Sequence, residues 1–229
     1  PSGWRLAAGS GKEIFGIPTL KIGNGIDVEQ IRPRQVRDTK DIHVIAVAMF
    51  QWWHGYDRFL EGLKVYYAAN PSRKFFFHMV GRGSEFARYQ KMVADYGLEE
   101  YVTLYGEQTG AALDDIYDKC NLGIASLGCY RKGMHETQEL KSREYLAKGL
   151  PFIASVRISD IPMEYHESTY LQVPNNDSPV DIEAVIAFYD RIYAEGAENV
   201  NQRLRKFAQD HFSMEVAMKE VIDFFKDGK

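Results

Sequence analysis

Between residues 42 and 154 the sequence alternates short apolar runs with stretches of helical period, and this alternation restricts the possible folds more than any other feature. The first run, IHVIAVAM at 42–49, is nearly continuously hydrophobic, as a parallel strand covered on both faces must be. Helical periods at 56–69, 84–96, 111–119 and 140–148 then separate apolar strands at 74–80, 101–105, 122–126 and 151–154. Such spacing fits right-handed βαβ crossovers, so the predicted fold class is α/β, a doubly wound parallel sheet, with a last strand at 169–173. From Asp181 onward the pattern is helical, at 182–194, 199–209 and 214–225, with Phe207, Phe212, Phe224 and Phe225 expected to anchor these helices to the body. Upstream, residues 1–16 read as a linker or the remnant of a preceding domain, and 17–229 as one domain. A short strand at 17–22, a tight turn at Gly23-Asn24-Gly25-Ile26-Asp27 and a solvated connection at 32–41 lead into the first long strand.

Composition serves mainly to exclude. A net charge of −4 and a pI near 5.9 give no global basic field for nucleic acid or an anionic membrane, although Arg131-Lys132 remains a local anion contact. Cys120 and Cys129 have no metal-like spacing and read as reduced thiols, and no metal site is expected. No apolar run reaches the length of a membrane span and no signal peptide is visible. The opening PSGWRLAAGSGKE does not read as a native N-terminus, which predicts a fragment.

In an open α/β sheet, ligands collect beyond the carboxyl ends of the strands, which directs attention to the loops that follow them. The first carries Phe50-Gln51-Trp52-Trp53-His54-Gly55, in which His54 and Gly55 stand at a helix start suited to a phosphate or sugar oxygen. The bland reading has a tryptophan capping the core and a solvated His54. The second loop carries Gly81-Arg82-Gly83-Ser84, where glycines allow close backbone approach, Arg82 can meet an anion and Ser84 can cap the next helix. Equally, it is a tight strand-to-helix turn. Gly106 and Gln108 follow the third strand and could present backbone groups to a flat base, while Arg131 and Lys132 lie in the loop after the fourth.

The segment 133–155, GMHETQELKSREYLAKGLPFIAS, gathers the remaining candidates. Glu136 and Glu144 are eight positions apart, roughly 12 Å along an α-helix and within about 80° around it, so both could face one elongated ligand. Unpaired N–H groups near Leu140 would hold an anion at the positive end of the helix dipole. Carboxylates for hydroxyls and a helix start for phosphate suit a nucleotide-sugar. The alternative is a solvated helix face in which Glu144 pairs with Lys148 at i,i+4.

Taken in order, Asn24-Gly25-Ile26-Asp27, Val80-Gly81-Arg82-Gly83, residues 102–106, and Glu136-x7-Glu144 with Ala147-x-Gly149-Leu150-Pro151 resemble the C-terminal half of retaining GT-B glycosyltransferases of the glycosyltransferase family 4 type. The likeness runs from about residue 17 to the end, and the paired-glutamate segment is its most specific part. It implies one Rossmann-like half of a GT-B fold with C-terminal helices, binding a nucleoside-diphosphate sugar without a metal or other cofactor. By this resemblance Glu136 contacts the transferred sugar, Glu144 the ribose, and Lys141 accompanies Glu144 in a recurrent variant of the motif. The strand-end loops and helix start take base and diphosphate. A glycan or lipid-linked acceptor would come through a preceding domain, as would any peripheral association with the membrane, and cytoplasmic polysaccharide or glycolipid synthesis is the implied setting.

Two departures stand out. Where family members carry an arginine and a lysine after the first strand, this chain has Met49 and His54, leaving Arg82, Arg131, Lys132 and Lys141 to balance the diphosphate. Where they carry glycines between the two glutamates, it has Thr137-Gln138-Glu139. Hence two other readings stay open, a catalytically silent nucleotide- or sugar-binding module and a non-hydrolysing nucleotide-sugar epimerase.

Overall fold

The computed structural model describes residues 22–36 and 40–226, with the backbone of four two-residue strands, Arg5–Leu6, Glu13–Ile14, Ile17–Pro18 and Leu20–Lys21. Most of the 1–16 segment read as a linker lies outside the described residues. The strand expected at 17–22 is instead two short strands, each antiparallel to an upstream partner.

The body is one six-stranded parallel sheet, β1 Ile42–Val47, β2 Phe75–Val80, β3 Val102–Gly106, β4 Leu122–Ile124, β5 Phe152–Ala154 and β6 Tyr170–Gln172, in the order β6-β5-β4-β1-β2-β3. Every strand expected between 42 and 173 is present. Helices α1 Asp57–Ala68, α2 Phe86–Asp95, α3 Gly110–Tyr117 and α4 Leu140–Ala147 supply the crossovers. They are followed by α5 Ile182–Tyr193, α6 Ala197–Phe212 and α7 Met214–Lys226. In β1, Ile42, Val44, Ile45 and Ala46 are fully buried, as the unbroken apolar run requires of a strand covered on both faces. The strand order reverses between β1 and β4, and a right-handed chain must there send its crossovers to opposite faces.

At that reversal β1 and β4 pair only over Val44↔Leu122 and Ile45↔Gly123 before they diverge. Tyr145 of α4 fills the wedge: its hydroxyl donates to Ile124 O at 2.9 Å and accepts from Val47 N–H at 3.3 Å. Its ring lies so close to Gly123 that a Cβ there would stand 2.7 Å from it. Thus β4 needs a glycine where α4 presents a tyrosine, and the crevice floor is built from that pair.

Several expectations are corrected. The connection at 32–41 is only partly solvated among its described residues: Pro33, Gln35 and Lys40 are exposed, but Arg34 is buried, and Arg32 pairs with Asp114 and Asp118 of the α3 region at 3.2 and 2.8 Å. Ser84 caps no helix, because α2 begins at Phe86 and the Ser84 hydroxyl lies 3.2 Å from Gln51 Oε1. Phe207 and Phe212 are buried as expected, but Phe225 is 74% exposed on the outer side of α7. Helix α6 is longer than read, with Phe212 O accepting from Ile26 N–H at 2.9 Å, so the Gly23–Asp27 turn is tied to the junction of α6 and α7. Both cysteines are buried free thiols.

Candidate functional site

The loops that follow β1 and β4 meet over the crevice. Gly55, at φ +66°, has Gly128 N 2.4 Å from where its Cβ would be, and Leu127 N–H donates to His54 O at 2.8 Å. This contact admits no side chain at Gly55. Arg131 of the second loop reaches Asp57 at the start of α1, Nη1 to Oδ1 at 3.0 Å and Nη2 to Oδ2 at 2.8 Å, and also contacts Trp52 O and Asp177. Its guanidinium, expected to meet a diphosphate, is therefore engaged in joining the two loops. Arg58, fully buried on α1, completes the bracing with hydrogen bonds to Leu127 O, Ser178 O and Pro174 O.

Nor do the glycines after β2 face open space. A Cβ on Gly81 would lie 1.9 Å from Ala48 O, and one on Gly83 2.3 Å from Phe50 O, so both glycines serve packing of this loop on the loop after β1. Between them Arg82 is exposed, its guanidinium over the Phe86 ring at 5.1 Å and beside Gly106. Gln108 turns back to donate to Tyr105 O at 3.2 Å. Lys132 is exposed with its ammonium 4.7 Å from the Trp53 ring centre. Arg82 and Lys132 are the two expected cations that form no ion pair among the described residues.

His54 is not the solvated residue of the bland reading. Its Nδ1 accepts Gln51 N–H at 3.1 Å and its ring stacks on Tyr56 at 5.6 Å. Burial, with Lys141 nearby, pushes its pKa down to about 3, so the ring is neutral at pH 7 with its proton on Nε2. A neutral imidazole offers a hydrogen bond to a phosphate or hydroxyl but no charge.

Glu136 is not helical. With Thr137 it forms a two-residue strand parallel to Arg157–Ile158, and α4 starts only at Leu140, after an extended Glu139 at ψ 142°. The spacing argument that set Glu136 and Glu144 on one helical face is therefore not realised. The Glu136 carboxylate is 53% exposed and ion-paired with Arg157. The entry to α4 is instead fixed by Arg143, whose wholly buried guanidinium donates to Gln138 O at 3.0 Å and Glu139 O at 3.2 Å and pairs with Asp160. Leu140 is half exposed at the first turn, where backbone N–H groups lack intrahelical acceptors.

On the crevice floor the carboxylate present is Glu139. Its oxygens accept Ser126 N–H at 3.2 Å and Ser126 Oγ–H at 2.9 Å, and Lys141 Nζ stands 3.2 Å from both Glu139 Oε2 and Ser126 Oγ. Burial works against this charge, yet Lys141 and the Ser126 donors hold the carboxyl below its usual range. One turn further along α4, Glu144 is partly buried and takes no hydrogen bond or salt bridge from the described residues. Lys148, its expected i,i+4 partner, goes instead to Asp114 at 2.6 Å and Arg32 O at 3.1 Å. Burial pushes the Glu144 carboxyl up, against the pull of Lys148 and Lys141. A partly buried carboxylate in the second turn of α4, without a partner among the described residues, is suited to ligand hydroxyls.

Sequence reading missed Asp57, Arg58, Arg143, Glu139 as a floor residue, and Asn175. The Asn175 amide joins the loops after β4 and β5, accepting Tyr130 N–H at 3.0 Å and Ser155 Oγ–H at 3.1 Å while donating to Met134 O at 3.0 Å. Its one signal is position, in a polar Pro-Asn-Asn-Asp run just after a strand.

The family profile described as glycosyl transferases group 1 matches residues 41–191, well over half of the chain. No curated protein matches the sequence. Among solved structures, a glycosyltransferase from Rickettsia africae superposes with a TM-score of 0.67 at 15% identity, over 90% of this chain and 56% of that one. HepE from Anabaena, in complex with UDP, gives 0.65 at 15% identity, over 90% and 57%. S. aureus TarM, in complex with fondaparinux, α-GlcNAc-glycerol and UDP, gives 0.62 at 17% identity, over 90% and 39%. The chain thus spans less than two thirds of the length of each. At these identities the superpositions establish the fold, and the profile establishes the family. The chain belongs to the glycosyl transferases group 1 family.

Proposed function

We propose that this chain is the donor-binding half of a metal-independent, retaining glycosyltransferase, which moves a hexose-type sugar from a nucleoside-diphosphate sugar to a glycan or lipid-linked acceptor in polysaccharide or glycolipid assembly. The observation that carries the reading is Glu144, a partly buried carboxylate without a hydrogen-bond or ion-pair partner among the described residues, on the helix that floors the crevice at the strand-order reversal. In this reading Glu144 holds the ribose and Glu136 the sugar, exchanging its exposed pairing with Arg157 for sugar hydroxyls. The first N–H groups of α4, with Lys141, Lys132 and Arg82, face the departing diphosphate, and the neutral His54 donates one hydrogen bond to it. Base recognition falls to the backbone around Gly106. No enzymatic nucleophile is required, since the family resemblance implies front-face substitution or a short-lived ion pair. Half of the reaction, binding of the acceptor, belongs to a domain beyond this chain.

A second reading is favoured by one specific observation. Lys141 is already satisfied by Glu139 and Ser126, and Arg131 by Asp57, which describes a site built to bind a nucleotide without neutralising a leaving group. Calorimetry with a panel of nucleoside-diphosphate sugars, alongside a donor-hydrolysis and transfer assay on the two-domain protein, separates the readings. Binding with turnover supports the transferase, binding without turnover supports the silent module, and no binding rejects both.

A further inference from the structure

The Glu139 carboxylate receives the set of donors that an anionic oxygen in this crevice would be expected to claim. Its partners are the backbone N–H and the hydroxyl of Ser126 at the carboxyl end of β4, and the Lys141 ammonium from the first turn of α4. With its side chain only 14% exposed, and with Lys141 only 16% exposed, the pair is largely shielded from solvent and weakly screened by salt. Arg143 holds the backbone of Glu139 by its carbonyl, so the carboxylate is delivered to the floor by a buried guanidinium rather than by a mobile loop. His54 and Tyr56 close the same space from the β1 side, the Tyr56 ring lying 5.9 Å below the Lys141 ammonium, and neither offers a second negative charge.

We infer that Glu139 is a resident counter-anion, which occupies Lys141 and the Ser126 donors while the crevice is empty and has to release Lys141 when a diphosphate binds. This rests on the donor-site reading above and adds to it a residue that sets how weakly the site holds its nucleotide. A fixed negative charge beside the diphosphate lowers the affinity for donor and for spent nucleoside diphosphate together, and so speeds product release. The cation the ligand needs is meanwhile kept in place rather than lost to solvent. Removing one charge at contact distance in a partly buried site raises anion affinity by about tenfold or more.

The test is calorimetric titration of this chain with inorganic pyrophosphate and with UDP, for the wild type, Glu139→Gln, Lys141→Ala and the double variant. The inference expects Glu139→Gln to bind pyrophosphate about tenfold or more tightly than the wild type, and the gain to shrink in the Lys141→Ala background, where only the direct repulsion is relieved. Equal or weaker binding by Glu139→Gln overturns it, as does a gain of undiminished size without Lys141. Should Glu139→Gln fail to fold by circular dichroism, Glu139→Asp, which keeps the charge but draws it back from Lys141, is expected to tighten pyrophosphate binding about threefold. An unchanged or weaker affinity there again overturns the inference. Failure of the donor-site reading looks different: neither pyrophosphate nor UDP then binds any of the four proteins.

Discussion

Asp57 at the start of α1 and Arg131 in the loop after β4 are joined by two hydrogen bonds of 3.0 and 2.8 Å, in a setting where both side chains are largely buried. The pair bridges the strand-order reversal from above, as Tyr145 fills it from below. Its geometry makes the crevice walls one unit. Arg131, counted from sequence as a phosphate contact, is in the structure a brace.

Asp57→Asn keeps the shape of the side chain and leaves the largely buried Arg131 with only the exposed Asp177 to balance its charge. The expected cost is about 3 kcal/mol of folding stability. Urea denaturation measures it, and Arg131→Lys should not be a mild change either, because an ammonium cannot reproduce the paired contacts. A loss below about 0.5 kcal/mol for Asp57→Asn would mean that the brace is slack.

Tyr145→Phe removes the hydroxyl that serves Val47 N–H and Ile124 O while leaving the ring on Gly123. With Ile124 O buried and the Val47 bond partly so, the loss should be roughly 1–2 kcal/mol. Hydrogen exchange at the Val47 amide should accelerate out of proportion to that of the rest of β1. Uniform acceleration would contradict a local role.

Much of this molecule was legible in the sequence, for reasons that differ from element to element. The strands at 42–47, 75–80 and 152–154 were readable because cover on both faces makes them almost continuously apolar, with His43 and His78 as exceptions, and the end of α4 because Gly149 takes φ +74°. Arg143 was not readable: a helical arginine between polar neighbours resembles a solvated one, and only Gln138, Glu139 and Asp160 arranged around it make it wholly buried. Glu136 was misread for a related reason. Its pairing with Arg157 joins residues twenty-one positions apart, and two-residue strands carry no period. Glu144 kept its candidacy through a contact that sequence could not show, the capture of Lys148 by Asp114.

Stability should fall as the pH drops through the ordinary histidine range. Burial pushes both His54 and His78 down to about 3, so each is neutral in the folded chain while the unfolded chain gains its proton near the ordinary value of 6.5. Below that value the unfolded state binds more protons, and each histidine removes about 1.4 kcal/mol per pH unit until its folded value is reached. Denaturant midpoints at pH about 7.5 and about 5.5 should therefore differ, with less difference in His78→Phe. Equal midpoints would show that these rings are not buried neutral.

The most direct test of the account is calorimetric binding of nucleoside diphosphates carrying uracil, guanine or adenine to this chain, as wild type, Glu144→Ala and Glu136→Ala. A nucleoside diphosphate has a ribose but no transferred sugar. The account therefore predicts that at least one of the three binds the wild type, that Glu144→Ala weakens it about tenfold or more, and that Glu136→Ala leaves it unchanged. Binding that ignores Glu144, or no binding of any of the three, would contradict it.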